Sequence, residues 1–504
     1  MQEQLLLGID IGTTGTKGIL TDSAGTVLNS AYCGYETSSS QAFYAEQNAE
    51  EWYEAVIFVI HECVKDLEDP SRVAAIGFSS QGGSLVVTDK DGTPLRPAIV
   101  WLDGRGEQQH AWFQKQLPQN YFYKTTGWSL GNGLNANYIQ WLRDNERSTF
   151  EKGAYFLSAI DFIIMRLTGK PVIDPSSAGI TNLFNINTMR YDDKILNLLD
   201  LSEDRLAGVQ LSGTCAGKLK SEAAEQTGLA VGTPVVAGGH DQYCVAVGAG
   251  ALDDGDCILA TGTAWVVLYV GSSLCYDNNA TFSQSIHPVA GKYGSIASIS
   301  SGGVCLEWLR NSVLTSDGQK MTFAELDEGA ADILPGADGL YFYPYFTGSP
   351  SPRVNAAAKG AFVGLDLAHN RFHMARAVME AIGYQVNWIL EAKERLSGGH
   401  PDAQLHMLGG ASRSRLWTQI IADITGKSVV IPGVSDTACM GAAILAGCGV
   451  GLFGSPASGY QSFAQRYSTV MPNAQTHELY QKGFETFKRN AEAVISLEWS
   501  ERHE

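Results

Sequence analysis

The order of hydrophobic and polar positions predicts three strands at the start of the chain. Apolar runs at 5–11, 16–22 and 26–35 are separated by short turns, a pattern typical of a β-meander. The segment 48–67 has apolar residues at helical spacing and an acidic start, which predicts a helix. Another strand-like run follows at 73–81, and strand-like residues continue through 82–95.

A similar order recurs in the second half of the chain. Residues 255–271 predict a strand, a Thr/Gly turn and a second strand. Residues 295–313 predict a strand, a glycine pair and a helix, and 403–426 predict a strand, a Gly-Gly turn and an amphipathic helix. We therefore predict an α/β protein of two related domains, 1–247 and 248–504, joined within the glycine-rich stretch "VGAGALDDGD".

Composition narrows the classes of partner. The 504 residues, 44% of them hydrophobic, provide material for more than one core. The formal net charge of −18 argues against nucleic acid or an anionic membrane as the main partner. A local pocket of N–H groups could still hold an anionic ligand. A homodimer is one candidate assembly, which the sequence leaves open.

The cysteines and the start of the chain indicate a cytoplasmic location. Nine cysteines are scattered without a CxxC pair, which is typical of reduced thiols. The opening "MQEQLLLGID" lacks the basic region and long apolar stretch of a signal peptide. No apolar run reaches the length that spans a membrane.

Three turns rich in Gly, Thr and Ser, at 10–17, 261–263 and 409–414, have the composition of phosphate-binding loops. Glycine permits close approach of backbone N–H groups, and Thr hydroxyls add donors. Lys17 would supply a cation, and Asp10 fits beside phosphate only if Mg²⁺ lies between them. The alternative is a plain β-hairpin turn with an edge aspartate. Neither a Walker A pattern nor GxGxxG is present.

The segment "VVAGGHDQYCVAVGAG" predicts an apolar strand, a Gly-Gly turn and a helix. The turn would present His240, Asp241 and Gln242. A carboxylate at such a strand end, near phosphate loops, suits a general base that takes a proton from an attacking hydroxyl. The alternative for Asp241 is a helix cap. His240 is interpreted as a structural hydrogen-bonding residue.

A third polar segment is "AIVWLDGR", residues 98–105. Trp101 offers a flat apolar face for a sugar ring. Asp103 and Arg105 could bind hydroxyl groups or pair with each other. Gln81, at another strand end, is a further candidate for sugar contact. The alternative is a buried tryptophan beside a surface ion pair.

Together these segments resemble the FGGY family of carbohydrate kinases over nearly the whole chain. Six motifs in family order carry the resemblance. They are "GIDIGTTGTKGIL" (8–20), "LRPAIVWLDGR" (95–105), "IDFIIMRLTGKPVIDPSSAGITNLFN" (160–185), "GGHDQYCVAVGAG" (238–250), "GAFVGLDLAHNRFHMARAVME" (360–380) and "GGASRSRLWTQIIADITGKSVVIP" (409–432).

The resemblance implies two actin-like ATPase domains of ribonuclease H type around a central cleft, with ATP and Mg²⁺. Asp241 would be the general base and Asp10 would face Mg²⁺. The remaining residues carried over by position are Gly12, Thr13, Thr14, Gly262, Thr263 and Gly303 at the phosphates, Gly409, Gly410, Ala411 and Ser414 at the adenosine, and Trp101 and Gln242 at the sugar.

Departures from the family pattern fall on the sugar side. Tyr138 stands where the family often has a lysine, and "GSPSP" (348–352) replaces a charged loop. The chain reads "QGGS" at 81–84, where the best-known D-xylulose kinases carry Met-His-Gly after the glutamine. A pentulose such as D-xylulose is the expected substrate. L-xylulose, ribulose, a tetritol, gluconate and glycerol are the alternatives.

Two further alternatives belong to other functional classes. An actin-like filament protein or chaperone-type switch would share the 10–17 loop but would not need the 360–380 signature, Trp101 and Asp241 together. A sugar-binding pseudokinase would lack turnover, although Asp10 and Asp241 are both present. ADP release stimulated by sugar distinguishes a kinase from both.

Overall fold

The computed structural model describes residues 4–314, 320–349, 351–400, 402–434, 436–463 and 466–497. The strands are β1 (Leu5–Ile11), β2 (Gly15–Asp22), β3 (Val27–Gly34), β4 (Glu46–Gln47), β5 (Val73–Ser80), β6 (Val86–Thr88), β7 (Ala98–Ile99), β8 (Tyr155–Leu157), β9 (Val172–Ile173), β10 (Phe184–Asn185), β11 (Arg190–Tyr191), β12 (Gly208–Val209), β13 (Cys215–Lys218), β14 (Pro234–His240), β15 (Cys257–Thr261), β16 (Trp265–Gly271), β17 (Ser283–Ile286), β18 (Tyr293–Ile299), β19 (Tyr341–Tyr343), β20 (Ala361–Val363), β21 (Leu405–Gly409), β22 (Val429–Pro432) and β23 (Tyr467–Val470).

The α-helices are α1 (Ala49–Val64), α2 (Glu107–Gln116), α3 (Tyr121–Thr126), α4 (Asn135–Asn145), α5 (Arg147–Lys152), α6 (Ala159–Thr168), α7 (Pro175–Ile180), α8 (Asp193–Leu199), α9 (Ser221–Thr227), α10 (Asp241–Ala249), α11 (Gly303–Trp308), α12 (Phe323–Ala331), α13 (Arg371–Ser397), α14 (Arg415–Thr425), α15 (Thr437–Gly449), α16 (Pro456–Ser462) and α17 (Ala474–Ile495). Short 3₁₀ helices cover Pro70–Arg72, Glu203–Arg205, Ala337–Gly339 and Gly410–Arg413, and a π-helical turn covers Leu309–Val313.

The described residues form two compact units. The N-terminal unit contains the chain up to residue 252, together with 283–294 and 436–463. The C-terminal unit contains the rest. The expected boundary between functional domains, at 247/248, stays a prediction. The compact units do not divide the chain at a single point, because two later segments, 283–294 and 436–463, belong to the N-terminal unit.

The N-terminal unit is built on a six-stranded sheet in the order β13-β14-β5-β1-β2-β3. β1 pairs with β2 antiparallel and with β5 parallel, and β14 continues the parallel set beside β5. Almost every residue of β1 is buried, as expected for a central strand. α1 covers one face through Trp52, Val56 and Ile60, and its Asn48 cap accepts the Glu50 N–H.

The C-terminal unit repeats this arrangement. Within this unit, six strands of a seven-stranded sheet run in the order β18-β16-β15-β21-β22-β23. β15 pairs antiparallel with β16 and parallel with β21, β22 continues the parallel set, and β23 is antiparallel to it. The long helix α13 and the amphipathic α14 are among the helices whose buried side chains join this core. Two related α/β domains are therefore present, as the repeated sequence order predicted.

Most of the predicted elements are confirmed, and two differ. The strand-like stretch 82–95 forms only the short β6, because Gly82, Gly83 and the turn at 89–93 interrupt it. Gly238 and Gly239 lie inside β14 rather than in a turn, so the strand continues to His240. None of the nine cysteines, all of which lie in described segments, forms a disulfide. Within the described residues, no helix has the length and apolar character needed to cross a bilayer.

Candidate active site

Three parallel strands of the N-terminal unit end side by side. The register places Asp10 of β1 opposite Ser79 of β5, and Ser80 opposite His240 of β14. Gln81 and Asp241 are the next residues after β5 and β14. The carboxyl ends of parallel strands are where ligands bind in open α/β sheets. The sheet therefore brings Asp10, Gln81 and Asp241 to one edge, although they lie far apart in the sequence.

The carboxylate of Asp10 is held between the strands. Ser79 Oγ donates a 2.6 Å hydrogen bond to Asp10 Oδ1. Enclosure by protein raises the pKa of Asp10 to about 6, and the negative charge of Asp241 adds to the rise. The Ser79 hydrogen bond and the charge of Lys17 oppose it. A divalent cation would offset the negative charge that Asp241 places near Asp10.

Hydrogen bonds to its carbonyl groups hold the turn after β1 in place. Tyr35 Oη donates to the Gly12 carbonyl at 2.6 Å, and Gln47 Nε2 donates to the Thr13 carbonyl at 2.7 Å. The Tyr35 backbone N–H donates to the Thr14 carbonyl at 3.2 Å. The geometry of the predicted phosphate loop is therefore set before any ligand arrives, which lowers the entropy cost of binding.

Lys17 has a partner within the protein. Its Nζ makes an ion pair with Asp436, the residue before α15, and this hydrogen bond raises the pKa of Lys17. The lysine was predicted to supply a cation to phosphate. The structure corrects this in part, because a phosphate would have to compete with the Asp436 carboxylate for the Lys17 ammonium group.

Trp101 lies at the surface, as a sugar-stacking residue requires. Its side chain is among the exposed large hydrophobic groups, at 46%. The indole Nε1–H donates to Thr13 Oγ1 at 3.0 Å, which joins the Trp101 loop to the turn after β1. The buried Tyr138 donates to the Val100 and Asp103 carbonyls and holds that loop from behind. Tyr138 is therefore a structural residue here.

The prediction that Asp103 contacts the sugar is not supported by its geometry. Both its carboxylate oxygens accept hydrogen bonds inside the protein, from the Ala45 N–H, the Arg105 N–H and the Arg105 guanidinium. Arg105 also pairs with Glu46 at 2.8 Å. This ion pair is buried, whereas the sequence suggested a surface pair. Asp103 fixes the loop that presents Trp101.

Asp241 is the first residue of α10, and its side chain is about one-third exposed (34%). Its Oδ1 accepts the Gln242 N–H at 2.6 Å and lies 3.1 Å from His240 Nδ1. The N-cap position belongs to His240, so Asp241 does not act as the helix cap. Its carboxylate faces away from the core.

Several polar groups around Asp241 are enclosed without a protein partner. They include both polar atoms of the Gln81 side chain, Gln242 Oε1 and Trp128 Nε1. Leaving such a group unpaired costs about 1–3 kcal/mol. A cluster of them at strand ends marks a place built to make further hydrogen bonds. Trp128 was not predicted, since a single tryptophan in a loop carries no sequence signal.

The C-terminal unit contains a separate cavity of about 530 Å³. It lies over the ends of β15 and β21 and is lined on one side by α12. A cavity of this size is within the range of small-molecule sites. Six of the residues predicted to contact the nucleotide line this cavity: Gly262, Thr263, Gly303, Gly410, Ala411 and Ser414.

Backbone hydrogen bonds join the turns of this cavity. The Gly303 N–H donates to the Gly262 carbonyl at 3.1 Å, and the Thr263 carbonyl accepts from Gly302 and Val304. Thr261 Oγ1 accepts from the Ala411 N–H at 3.2 Å. Gly409 adopts a φ of 94°, which favours glycine. Ser414 also caps α14 by accepting the Trp417 N–H.

Several residues that line this cavity were not predicted from the sequence, among them Phe323 and Asp327. Phe323 is half-exposed at its edge, and Asp327 lies one helical turn further along α12. Burial raises the pKa of Asp327, opposed by a hydrogen bond with Ser414. Their spacing of four residues after a capping box was the only available signal, and it is also typical of any amphipathic helix.

The acidic pair Asp10 and Asp241 fits a magnesium ion. Mg²⁺ is commonly held by one or two carboxylates together with waters and substrate phosphates. Over the described ranges, no group of three or more His, Cys, Asp or Glu side chains is arranged to hold a metal by itself. The site therefore suits a cation that arrives with a nucleotide.

Known proteins of similar sequence and fold are sugar kinases. The chain is 29% identical over 484 residues to a xylulose kinase from Bacillus subtilis (strain 168), covering 96% of each chain. It is also 29% identical over 447 residues to a gluconokinase of that organism, covering 87% of this chain and 86% of the relative. The structure of ligand-bound xylulose kinase from Lactobacillus acidophilus superposes with a TM-score of 0.90 at 25% identity, covering 98% and 99% of the two chains.

The family profiles match both halves in order. The N-terminal domain of the FGGY family of carbohydrate kinases matches residues 5–248, and its C-terminal domain matches 258–450. An enzyme of this family is a phosphotransferase, which decides against the filament-protein and chaperone alternatives. The fold is the two-domain, actin-like ATPase fold of these kinases, as the motifs predicted. The chain belongs to the FGGY family of carbohydrate kinases, which use ATP with Mg²⁺.

Proposed function

We propose that this kinase transfers the terminal phosphoryl group of ATP to a hydroxyl of a neutral pentulose, D-xylulose being the first choice, with Asp241 as general base. The observation that carries the proposal is the partly exposed Asp241 carboxylate at the end of β14, close enough to Asp10 for their charges to interact.

The proposed roles follow the distribution of polar groups. Asp10 holds the Mg²⁺ side of the nucleotide. Gln81, Trp101 and Gln242 contact the sugar. The phosphates approach Gly12, Thr13, Thr14, Gly262, Thr263 and Gly303, and the adenosine approaches Gly409, Gly410, Ala411 and Ser414. The N-terminal domain, 1–247, is assigned to the sugar and the C-terminal domain, 248–504, to ATP.

The chemistry asks for little beyond positioning and charge stabilisation. Phosphoryl transfer has a loose transition state, so alignment of the hydroxyl and neutralisation of the phosphate charge dominate catalysis. Mg²⁺ would supply part of that neutralisation. Asp241 takes the proton as the hydroxyl attacks, and such general-base help contributes about 10²–10⁴-fold.

A neutral acceptor is favoured over an aldonate such as gluconate by the local charges. Asp10 and Asp241 are acids at the same strand ends as Gln81. The basic groups of the same unit that approach this edge, Lys17 and Arg105, pair with Asp436 and Asp103. A carboxylate on the substrate would therefore meet like charge, and the two cations described at this edge, Lys17 and Arg105, already have acidic partners.

A panel of acceptors tests the substrate class. We expect the largest ATP-dependent kcat/KM with D-xylulose among D-xylulose, L-xylulose, D-ribulose, erythritol, glycerol and D-gluconate, measured by coupled ADP release. A strong preference for gluconate would overturn the neutral-acceptor proposal. Absence of ADP release with every acceptor in the panel would favour a pseudokinase.

The substitution Asp241→Asn tests the base. Its amide keeps the size of the side chain and cannot accept the proton, so kcat should fall about 10²–10⁴-fold. ATP and sugar binding, measured by calorimetry, should stay near the wild-type values. Asp91→Asn, on an exposed loop of the same unit, is the matched control. Near-normal turnover in Asp241→Asn would remove this residue from its role.

A further inference from the structure

The imidazole of His240 is wedged between aromatic rings beside Asp241. It is buried, with 6% of the residue exposed. Its ring centre lies 6.3 Å from that of Trp128 and 6.0 Å from that of Tyr243. The backbone N–H of His240 donates to Ser176 Oγ at 2.9 Å. Both the backbone and the ring are therefore held in one arrangement.

The ring also occupies space that a side chain at position 82 would need. A Cβ added to Gly82 would lie 2.5 Å from His240 Cδ2 and 2.8 Å from its Nε2. Such contacts are too short, so either the ring or the 81–84 segment would have to move. Gly82 directly follows Gln81, whose side-chain amide is enclosed and unpaired. His240 thereby fixes the segment that carries a proposed sugar contact.

The polar edge of the ring faces Asp241. His240 Nδ1 lies 3.1 Å from Asp241 Oδ1, yet it makes no hydrogen bond in this arrangement. A small rotation of either side chain would align the N–H with the carboxylate. A base that must meet a hydroxyl in line benefits from a neighbour that limits its rotamers.

We propose that His240 is a positioning and specificity-determining residue: its ring, seated on Gly82, orients the Asp241 carboxylate and shapes the wall of the acceptor site next to Gln81. This inference rests on the proposed role of Asp241 as general base. It goes beyond the interpretation of His240 as a structural residue. Replacing a purely structural residue would change kcat only as far as it changes folding stability, whereas replacing a positioning residue also lowers kcat in a folded variant.

The pair His240→Asn and His240→Leu tests the positioning role. Asn retains a polar group close to the place of Nδ1, whereas Leu fills the space without one. With D-xylulose, or the acceptor of highest kcat/KM in the panel, we expect His240→Leu to lose about 10- to 100-fold in kcat, because small misplacement of a base is costly. His240→Asn should recover most of it. The KM for ATP should stay unchanged in both.

A double-mutant cycle with Gly82→Ala tests the packing. Gly82→Ala alone should raise the acceptor KM and lower kcat, so that kcat/KM falls about 10-fold. In a His240→Ala background the same change should have little further effect, since the added Cβ, which also meets Ile180 Cγ2 at 2.8 Å, gains room. Gly131→Ala, where nothing lies within 4 Å, is the control.

The outcomes separate this inference from the proposed function. Equal kcat values for His240→Leu and His240→Asn, or additive effects of Gly82→Ala and His240→Ala, would overturn the positioning role of His240. If Asp241→Asn still lost turnover, the proposed base would stand without it. Turnover retained in Asp241→Asn would overturn the base and the positioning role together. Thermal melting of each variant identifies any that fails to fold. If a His240 variant does not fold, the kinetics of Gly82→Ala alone test the packing.

Discussion

The two units use the same strand arrangement to present different chemistry. In each, a hairpin is followed by two parallel strands and an antiparallel edge strand. At the strand ends of the N-terminal unit, ionisable and amide side chains are enclosed, and Asp10 is linked to Ser79. At the corresponding ends of the C-terminal unit, Thr261 and the glycine turns bond to one another through backbone groups.

This difference fits the proposed binding of the sugar by the N-terminal unit and of the nucleotide by the C-terminal unit. Proton transfer to or from a sugar hydroxyl needs an ionisable side chain at a defined position. A nucleotide needs N–H groups, close approach of the backbone and an apolar surface for the base. Substitutions in the N-terminal unit should therefore affect kcat most, whereas added volume in the C-terminal turns should affect ATP binding most.

After Asp241→Asn, the largest effect is expected for Asp10→Asn. Loss of the carboxylate should lower kcat about 10- to 100-fold and raise the Mg²⁺ concentration needed for half-maximal rate, because a group that acts on a metal through water typically contributes this much. Steady-state kinetics over a Mg²⁺ titration measure both. Asp66→Asn, exposed in the same unit, should leave them unchanged. An unaltered Mg²⁺ dependence would contradict the metal-facing role of Asp10.

An intermediate effect is expected for Gly303→Ala in the C-terminal unit. The added Cβ would lie 2.5 Å from the Gly262 carbonyl oxygen, a backbone atom that cannot give way cheaply. The two phosphate turns should separate, and the KM for ATP should rise about 10-fold, equivalent to about 1.4 kcal/mol. The acceptor KM should change little. Gly399→Ala, with open space around it, is the control in the same unit.

The remaining effect concerns the stability of the N-terminal unit against acid rather than catalysis. Burial lowers the pKa of His287 to about 3, with the charge of Lys292 adding to the shift. The unfolded chain binds this proton below about pH 6.5 while the folded protein does not, so stability is lost as pH falls from 6.5 towards 3. Between pH 6.5 and 5, the free energy of unfolding of His287→Asn should fall by about 2 kcal/mol less than that of the wild type.

Denaturant unfolding at a series of pH values measures this prediction. Asn retains an acceptor for the Val289 N–H, which His287 Nδ1 accepts at 3.1 Å. His287→Asn should lower stability at neutral pH, since contact between the His287 and Tyr243 rings, whose centres are 5.8 Å apart, is lost. His61→Asn, on the exposed face of α1, should keep the wild-type pH dependence. An unchanged slope in His287→Asn would show that another group controls it.

The fold was largely predictable because its signals are local. Strand and helix periodicity around the turns at 10–17, 261–263 and 409–414 gave the repeated unit, and the family signature at 360–380 marked the C-terminal unit. In the structure that signature contributes the buried pair Arg376–Glu380, joined by Tyr480. These contacts are internal to the C-terminal unit and help to hold its core together.

The candidate site was less predictable because partners are distant in sequence. Lys17 pairs with Asp436, 419 positions away, and Asp103 accepts the Ala45 N–H. Neither pairing has a local signature, so both side chains could be mistaken for ligand contacts. Trp128, Phe323 and Asp327 escaped notice for the same reason.

By itself the sequence determined the family, the strand–turn–helix repeats and the residue types that phosphoryl transfer needs, because these depend on periodicity and short motifs. Only the tertiary structure decided which side chains face the sites and which are already paired. Parallel strands bring Asp10, Gln81 and Asp241 to one edge, and the packing of His240 on Gly82 joins residues 158 positions apart. Such contacts arise from sheet register and close packing, which a linear pattern does not encode.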